Sequence, residues 1–209
     1  VVSSGEIKFV SNLNDSCVGG VVGVAENGST ISKSSSYFVF DFDGSVKNSS
    51  IGGLCGQLVK LSSGKICENF VSANVQIKGT ANNLNLGGLI GEGFAESENN
   101  FVQGQFLLNE LGGSGYVGGL YGKYLNSNLK VAIEHSYSNV DITSAAALKT
   151  GSLVGCLGGK ISYCFACNDN ALIGESRGAI YADLSTCLKK SELSKGFYDE
   201  SLDFDQNIW

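Results

Sequence analysis

The string apolar-Gly-Gly-apolar-x-Gly constrains what this chain can fold into more than any other feature. It reads Val18-Gly19-Gly20-Val21-Val22-Gly23, Ile51-Gly52-Gly53-Leu54-Cys55-Gly56, Leu86-Gly87-Gly88-Leu89-Ile90-Gly91 and Val117-Gly118-Gly119-Leu120-Tyr121-Gly122. A fifth copy, Thr150-Gly151-Ser152-Leu153-Val154-Gly155, has exchanged one glycine for serine. Arg177-Gly178-Ala179-Ile180-Tyr181-Ala182 reads as a decayed sixth. The first glycines follow one another at 33, 35, 31, 33 and 27 residues. Chance does not produce that regularity, and periods of this length mark a repeat architecture.

Each copy carries a second element in which a small or polar residue precedes an aromatic. These elements begin Ser36-Tyr37, Asn69-Phe70, Asn100-Phe101, Ser136-Tyr137 and Cys164-Phe165. Alternation follows in several of them, as at Phe70, Val75 and Ile77, and this period of two indicates short strands. An isoleucine (Ile31, Ile66, Ile133, Ile161) adds a third extended piece, and turn formers such as Glu26-Asn27-Gly28-Ser29 separate the units. Helical periodicity is confined to Ser144–Lys149, in a connecting loop.

One such unit is too small to bury its own apolar residues, so the units must stack and share a core. The expected fold is all-β, a parallel β-solenoid of about five to six coils over 1–182, with 183–209 as a capping or connecting segment. Val21, Leu54, Leu89, Leu120 and Leu153, with Ile180, would form one internal ladder, and Tyr37, Phe70, Phe101, Tyr137 and Phe165 another. A propeller is the main rival, but its blades usually need ~40–50 residues. Glycine inside a strand costs up to about 1 kcal/mol relative to alanine. Its return in every copy therefore implies a recurring demand, either a corner at positive φ or a close approach of neighbouring backbones. The chain has 29 glycines and no proline in 209 residues. The missing proline suits a hydrogen-bond ladder in which every interior coil donates N–H groups.

Charge and termini narrow the partners. Fourteen basic against twenty acidic residues give a net charge of −6, with Arg177 the single arginine, so nucleic-acid binding is not expected. No apolar stretch approaches the ~20 residues of a membrane-spanning helix. The chain lacks methionine altogether, which reads as a processed chain or a segment of a longer one.

The Gly-Gly-Leu-x-Gly repeats resemble the GLUG motif over roughly Val18 to Ala182, and the tail from Gly196 to Trp209 resembles the aromatic-acidic ending of such arrays. The resemblance implies a secreted or cell-surface bacterial β-solenoid, adhesin-like, that spaces or displays other domains or adheres. It implies no catalytic residue.

Candidate chemistry is sparse. Asp41-Phe42-Asp43-Gly44 and the tail acids Asp199, Glu200, Asp203 and Asp205 could hydrolyse a glycosidic bond if two were held about 5–9 Å apart, or bind Ca²⁺. Solvated turns are the plainer reading. Cys164-Phe165-Ala166-Cys167 is the tightest of the spacings among seven cysteines, and a zinc site would need a further close ligand. The cysteines read better as small hydrophobes at positions held by Val, Ile or Ser in other repeats. His135 reads as a surface or coil-stacking residue. Asn14, Asn27 and Asn48 head glycosylation sequons that chance also supplies in so Asn- and Ser-rich a chain.

The functional expectation is a non-enzymatic extracellular or cell-surface module, structural, adhesive or filament-forming, with no cofactor. Its partners would be copies of itself, adjoining domains of a longer chain, or a surface glycan or protein. The alternative is a carbohydrate-binding or carbohydrate-active β-helix. The residues singled out are structural: Gly19, Gly20, Gly23, Gly52, Gly53, Gly56, Gly87, Gly88, Gly91, Gly118, Gly119, Gly122, Gly151 and Gly155.

Overall fold

Strands from different repeats lie side by side, and every strand pair is parallel. The computed structural model describes residues 1–26, 28–59, 64–126, 131–145, 147–168, 170–177, 181–182 and 188–189. Within them the chain is an all-β parallel solenoid with no helix, so none is long and apolar enough to cross a membrane. Ser144 ends a strand and Leu148 N closes a turn on Ala145 O, where the sequence would tolerate helix.

Three sheets form the walls. The broad sheet has ten strands, and its main path runs Val2–Asn14, Ser35–Gly52, Phe70–Gly87, Phe101–Leu108, Tyr137–Ser144, Phe165–Ala166, Leu188–Lys189. Past the glycine turn, a second sheet of six stacks Val22–Ala25, Cys55–Leu58, Ile90–Glu92, Tyr121–Leu125, Val154–Gly158 and Ile173–Ser176. The third, also of six, holds the isoleucine elements: Ile31–Ser32, Lys65–Cys67, Glu96–Glu98, Ala132–Glu134, Lys160–Ser162 and Tyr181–Ala182.

The residue after the glycine pair forms the expected internal ladder. Val21, Leu54, Leu89 and Leu120 each donate their N–H to the next member's carbonyl at 2.8–3.0 Å. Leu54, Leu89, Leu120 and Leu153 are fully buried, each worth about 1.5–3 kcal/mol of apolar transfer. Neighbouring columns trade volumes. Phe38 lies between Gly5 and Ala73, and the rings of Phe38, Phe40 and Phe42 follow one another at 6.0 Å inside the core.

Three expectations change. The sixth rung of the ladder is Leu172 rather than Ile180: Leu153 N donates to Leu172 O, and Val154 pairs with Ile173. The segment Arg177–Ala182 instead brings Tyr181 and Ala182 beside Lys160 and Ile161 in the third sheet, while 178–180 lie outside the described residues. The reason is a shortened coil, since Ser152 meets its counterpart Ala171 only 19 residues on.

The aromatic column also points outward. Phe70, Phe101 and Tyr137 are half-buried, and the following Val71, Val102 and Ser138 fill the interior. Tyr37 lies tilted against Phe70 (5.8 Å between centroids) without being its register mate, which is Ser35. Of the segment 183–209, only Leu188 and Lys189 are described; they extend the broad sheet past Phe165 and Ala166. The tail's acids, Cys187 and the aromatic-acidic ending from Gly196 to Trp209 lie outside the described residues.

Candidate functional site

The repeated glycines form a seam where the returning strand of one coil meets the outgoing strand of the next. None of the fourteen motif glycines has positive φ. Close approach is therefore the demand they meet. A Cβ on Gly19, Gly52, Gly87, Gly118 or Gly151 would overlap the carbonyl oxygen three residues on, and would lie 2.7–2.8 Å from the amide nitrogen of Gly56, Gly91, Gly122, Gly155 or Gly174. A Cβ on Gly20, Gly53, Gly88 or Gly119 would overlap the carbonyl of its counterpart in the next copy. The third glycine meets the preceding copy's carbonyl at 2.5–2.7 Å in Gly56, Gly91, Gly122 and Gly155. Gly23, with no preceding copy described, meets only Cys17 O at 3.0 Å. In the fifth copy the conflict becomes a bond, because Ser152 Oγ donates to Ala171 O at 3.2 Å.

Positive φ falls instead on Lys33, Glu68, Asn99, His135 and Tyr163 (45–57°). Each sits at the corner between the third sheet and the next broad strand. Such a conformation costs a non-glycine residue of order 1 kcal/mol, and the residue that follows it offsets the cost. Ser34, Asn69, Asn100, Ser136 and Cys164 point inward as a buried polar ladder. Asn69 Oδ1 accepts from Ser34 N, Asn100 Oδ1 from Asn69 N, and Ser136 Oγ from Asn100 N, at 3.1–3.2 Å. Asn69 and Asn100 also donate to Ile31 O and Ile66 O at 3.0 and 2.8 Å, tying the corner to the coil before it. A second corner column, Asp15, Asn48 and Asn83, bonds side chain to side chain on the surface. The Asn48 amide nitrogen that a sequon would glycosylate is thereby engaged with Asp15.

The outward face of the broad sheet is mostly polar. Register places Ser4, Tyr37, Ser72, Gln103 and Asn139 in one column and Glu6, Val39, Asn74, Gln105 and Asp141 in the next. A third column runs Lys8, Asp41, Gln76, Leu107 and Thr143. A shallow groove crosses four strands here, lined by Glu6, Lys8, Asp41, Asn74, Gln76 and Gln105 among others.

The residues considered for chemistry are scattered. Asp41 and Asp43 lie on a continuous strand rather than in a loop, with Lys8 and Lys78 as their register neighbours. Among the described residues no three His, Cys, Asp or Glu converge on a metal position. His135 stacks face to face on Tyr163, 5.2 Å between centroids, with Nδ1 4.0 Å from Glu98. Cys164 is a member of the buried ladder and bonds to Ser162 O, while Cys167 is half-buried. Cys55 pairs with Val22 and Ile90, and Cys17 with Ser50. Cys17, Cys55, Cys67, Cys156 and Cys167 carry free thiols. Burial pushes the Cys55 thiol up to about 12 and raises Cys17, Cys67 and Cys156, which leaves them protonated and poorly nucleophilic.

Three glutamates on the walls of the second and third sheets tie one coil to the next, Glu92 to Lys123, Glu96 to Lys65 and Glu134 to Lys160, while Glu175 pairs with Arg177 two residues on. Partial burial pushes the Glu134 carboxyl up, but hydrogen bonds from Lys160 (2.7 Å) and Ser162 (2.8 Å) outweigh it and hold the group below 4.5. The folded chain then binds fewer protons than the unfolded chain in that window. The stabilisation is complete above pH 4.5 and is lost as pH falls through the folded value. Glu134→Gln is expected to flatten the acid limb of a plot of melting temperature against pH. An unchanged limb would show that the pair contributes nothing.

No family model matches the chain, and neither a curated protein nor a solved structure matches it.

Proposed function

We propose that this chain is a non-enzymatic repeat module of five to six coils, built on GLUG-like repeats, that works at the cell surface or outside the cell as a structural, adhesive or filament-forming rod. The observation that carries the reading is the stack of like coils, paired in register across all three sheets, with strand edges at the face nearest Val2–Asn14. Val2–Asn14, Val22–Ala25 and Ile31–Ser32 are the terminal strands of all three sheets, and each pairs on one side only among the described residues. Val2 and Val10 are exposed there, and Ile7, Val18, Val21 and Val22 are only half-buried. Three parallel edges at one end form a template for another coil. A second copy, or an adjoining stretch of a longer chain, would complete them.

The six strands of each narrower sheet support the coil number. The repeats' likeness to the GLUG motif supports the compartment. The carboxylates support a non-catalytic role, because Glu92, Glu96 and Glu134 are tied to lysines, Glu175 to Arg177, and Asp41 and Asp43 stand on an open face. Sedimentation velocity over a range of concentrations tests the association. Growth of larger species with concentration is expected, and a strictly monomeric chain at every concentration contradicts the filament-forming role.

A further inference from the structure

We propose that the outward face of the broad sheet binds a neutral, linear polysaccharide lying along the solenoid axis. The groove begins on the terminal strand Val2–Asn14 but lies on the face of the sheet rather than along its open edge, so the proposal does not depend on self-association.

Three observations carry it. First, the groove runs across strands rather than along one: Glu6 and Lys8 come from the first strand, Asp41 from the second, Asn74 and Gln76 from the third and Gln105 from the fourth. An occupant therefore meets a new set of side chains at each strand, about every 4.8 Å. A polymer of pyranose units, each roughly one strand spacing long, presents hydroxyls at a comparable repeat.

Second, several amides stand on this face, beside the charged Glu6, Lys8 and Asp41 and the apolar Val39 and Leu107. Among the described residues, Gln76, Gln103, Gln105 and Asn139 make no side-chain hydrogen bond, and all four are exposed or half-exposed. A primary amide both donates and accepts, which suits hydroxyls that do the same. The backbone beneath offers nothing, since the interior strands are paired on both sides. An extended peptide would find no ladder groups to bond here, and strand addition belongs to the sheet edge.

Third, the charges favour a neutral ligand. Lys8 is occupied by Glu6 at 2.8 Å and faces Asp41 across the ladder. With a net charge of −6, the chain repels acidic polymers. The half-buried rings of Phe70, Phe101 and Tyr137 border the face and offer apolar edges beside the amides.

Isothermal titration of the whole chain with cellohexaose, xylohexaose, mannohexaose and chitohexaose, and with the matching disaccharides, tests the proposal. At least one hexasaccharide should bind, more tightly than its disaccharide, because only the longer chain spans several strands. The variant Gln76→Ala/Gln103→Ala/Gln105→Ala should weaken that binding roughly tenfold or more, with melting temperature and sedimentation unchanged. If the triple variant loses its fold, Gln76→Glu/Gln105→Glu keeps the size of both side chains and should weaken binding equally. The proposal is overturned if no hexasaccharide binds, if affinity ignores chain length, or if the folded variants bind like the parent. It is also overturned if an acidic oligosaccharide or an extended peptide binds this face in preference.

Discussion

Gly88→Ala is expected to cost about 3–5 kcal/mol, at the upper end of what single substitutions do. The added methyl would overlap the Gly119 carbonyl oxygen and lie 2.6 Å from Val102 Cγ1. Neither neighbour can retreat cheaply. Gly119 belongs to the turn stacked directly on that of Gly88, and Val102 is fully buried. Relief requires two coils to part, which weakens the Leu89-to-Leu120 bond at 2.9 Å. Global stability of a domain is only about 5–15 kcal/mol, so the variant should stand near its unfolding midpoint without denaturant. Gly112→Ala is the matched control. It is exposed, has ordinary φ, and a Cβ there meets nothing closer than Gly79 O at 3.9 Å. Its effect should stay within about 1 kcal/mol. Urea unfolding of the two variants decides the matter, and equal shifts would mean that the motif glycines are not kept for close approach.

Particular residues show what was legible in the sequence. The glycine seam and the leucine ladder could be read because their chemistry is nearly invariant: every copy meets the same backbone contact. The direction of the aromatic column could not. Phe70 and Val71 are both apolar, so a period of two fits either phase, and only the packing of Val71 and Val102 inside decides it. Tyr37 misled for a related reason: its ring belongs to the stack, while its backbone is two residues out of register with Phe70.

The buried polar ladder left a signal of another kind. Ile31 precedes Ser34 by three residues, as Ile66 precedes Asn69, Ile133 precedes Ser136 and Ile161 precedes Cys164. That fixed spacing, with Ser97 and Asn100 as the fifth case, marks the corner despite its changing residue types. The corner itself stayed hidden because its side chains point to solvent. Lysine, glutamate, asparagine, histidine and tyrosine all serve there at positive φ. The polar face was hidden differently, since a grid built from five repeats has no motif in any one of them.

Asn100→Ala should be the second severe substitution, at about 3 kcal/mol or more. The side chain is fully buried; its Nδ2 donates to Ile66 O and Glu98 O, and its Oδ1 accepts from Asn69 N and Nδ2. Alanine would strip a bond from Ile66 O, Asn69 N and Glu98 O on two successive coils at once, with Glu98 O keeping its bond from Glu68 N, and an orphaned buried group costs about 1–3 kcal/mol. Asn100→Ser is the informative companion. Ser136 holds the equivalent place one coil on, where its Oγ accepts from Asn100 N and donates to Glu134 O. A serine at 100 can repeat the bonds with Asn69 N and Glu98 O, and loses the longer reach to Ile66 O, Ser97 Oγ and Asn69 Nδ2. Its cost should be about half that of alanine. A double-mutant cycle with Asn69→Ala should return a coupling of about 1–2 kcal/mol, since the bond from Asn69 Nδ2 to Asn100 Oδ1 is lost with either side chain. If serine costs as much as alanine, the position acts through volume alone, and the ladder does not hold the positive-φ corners in place.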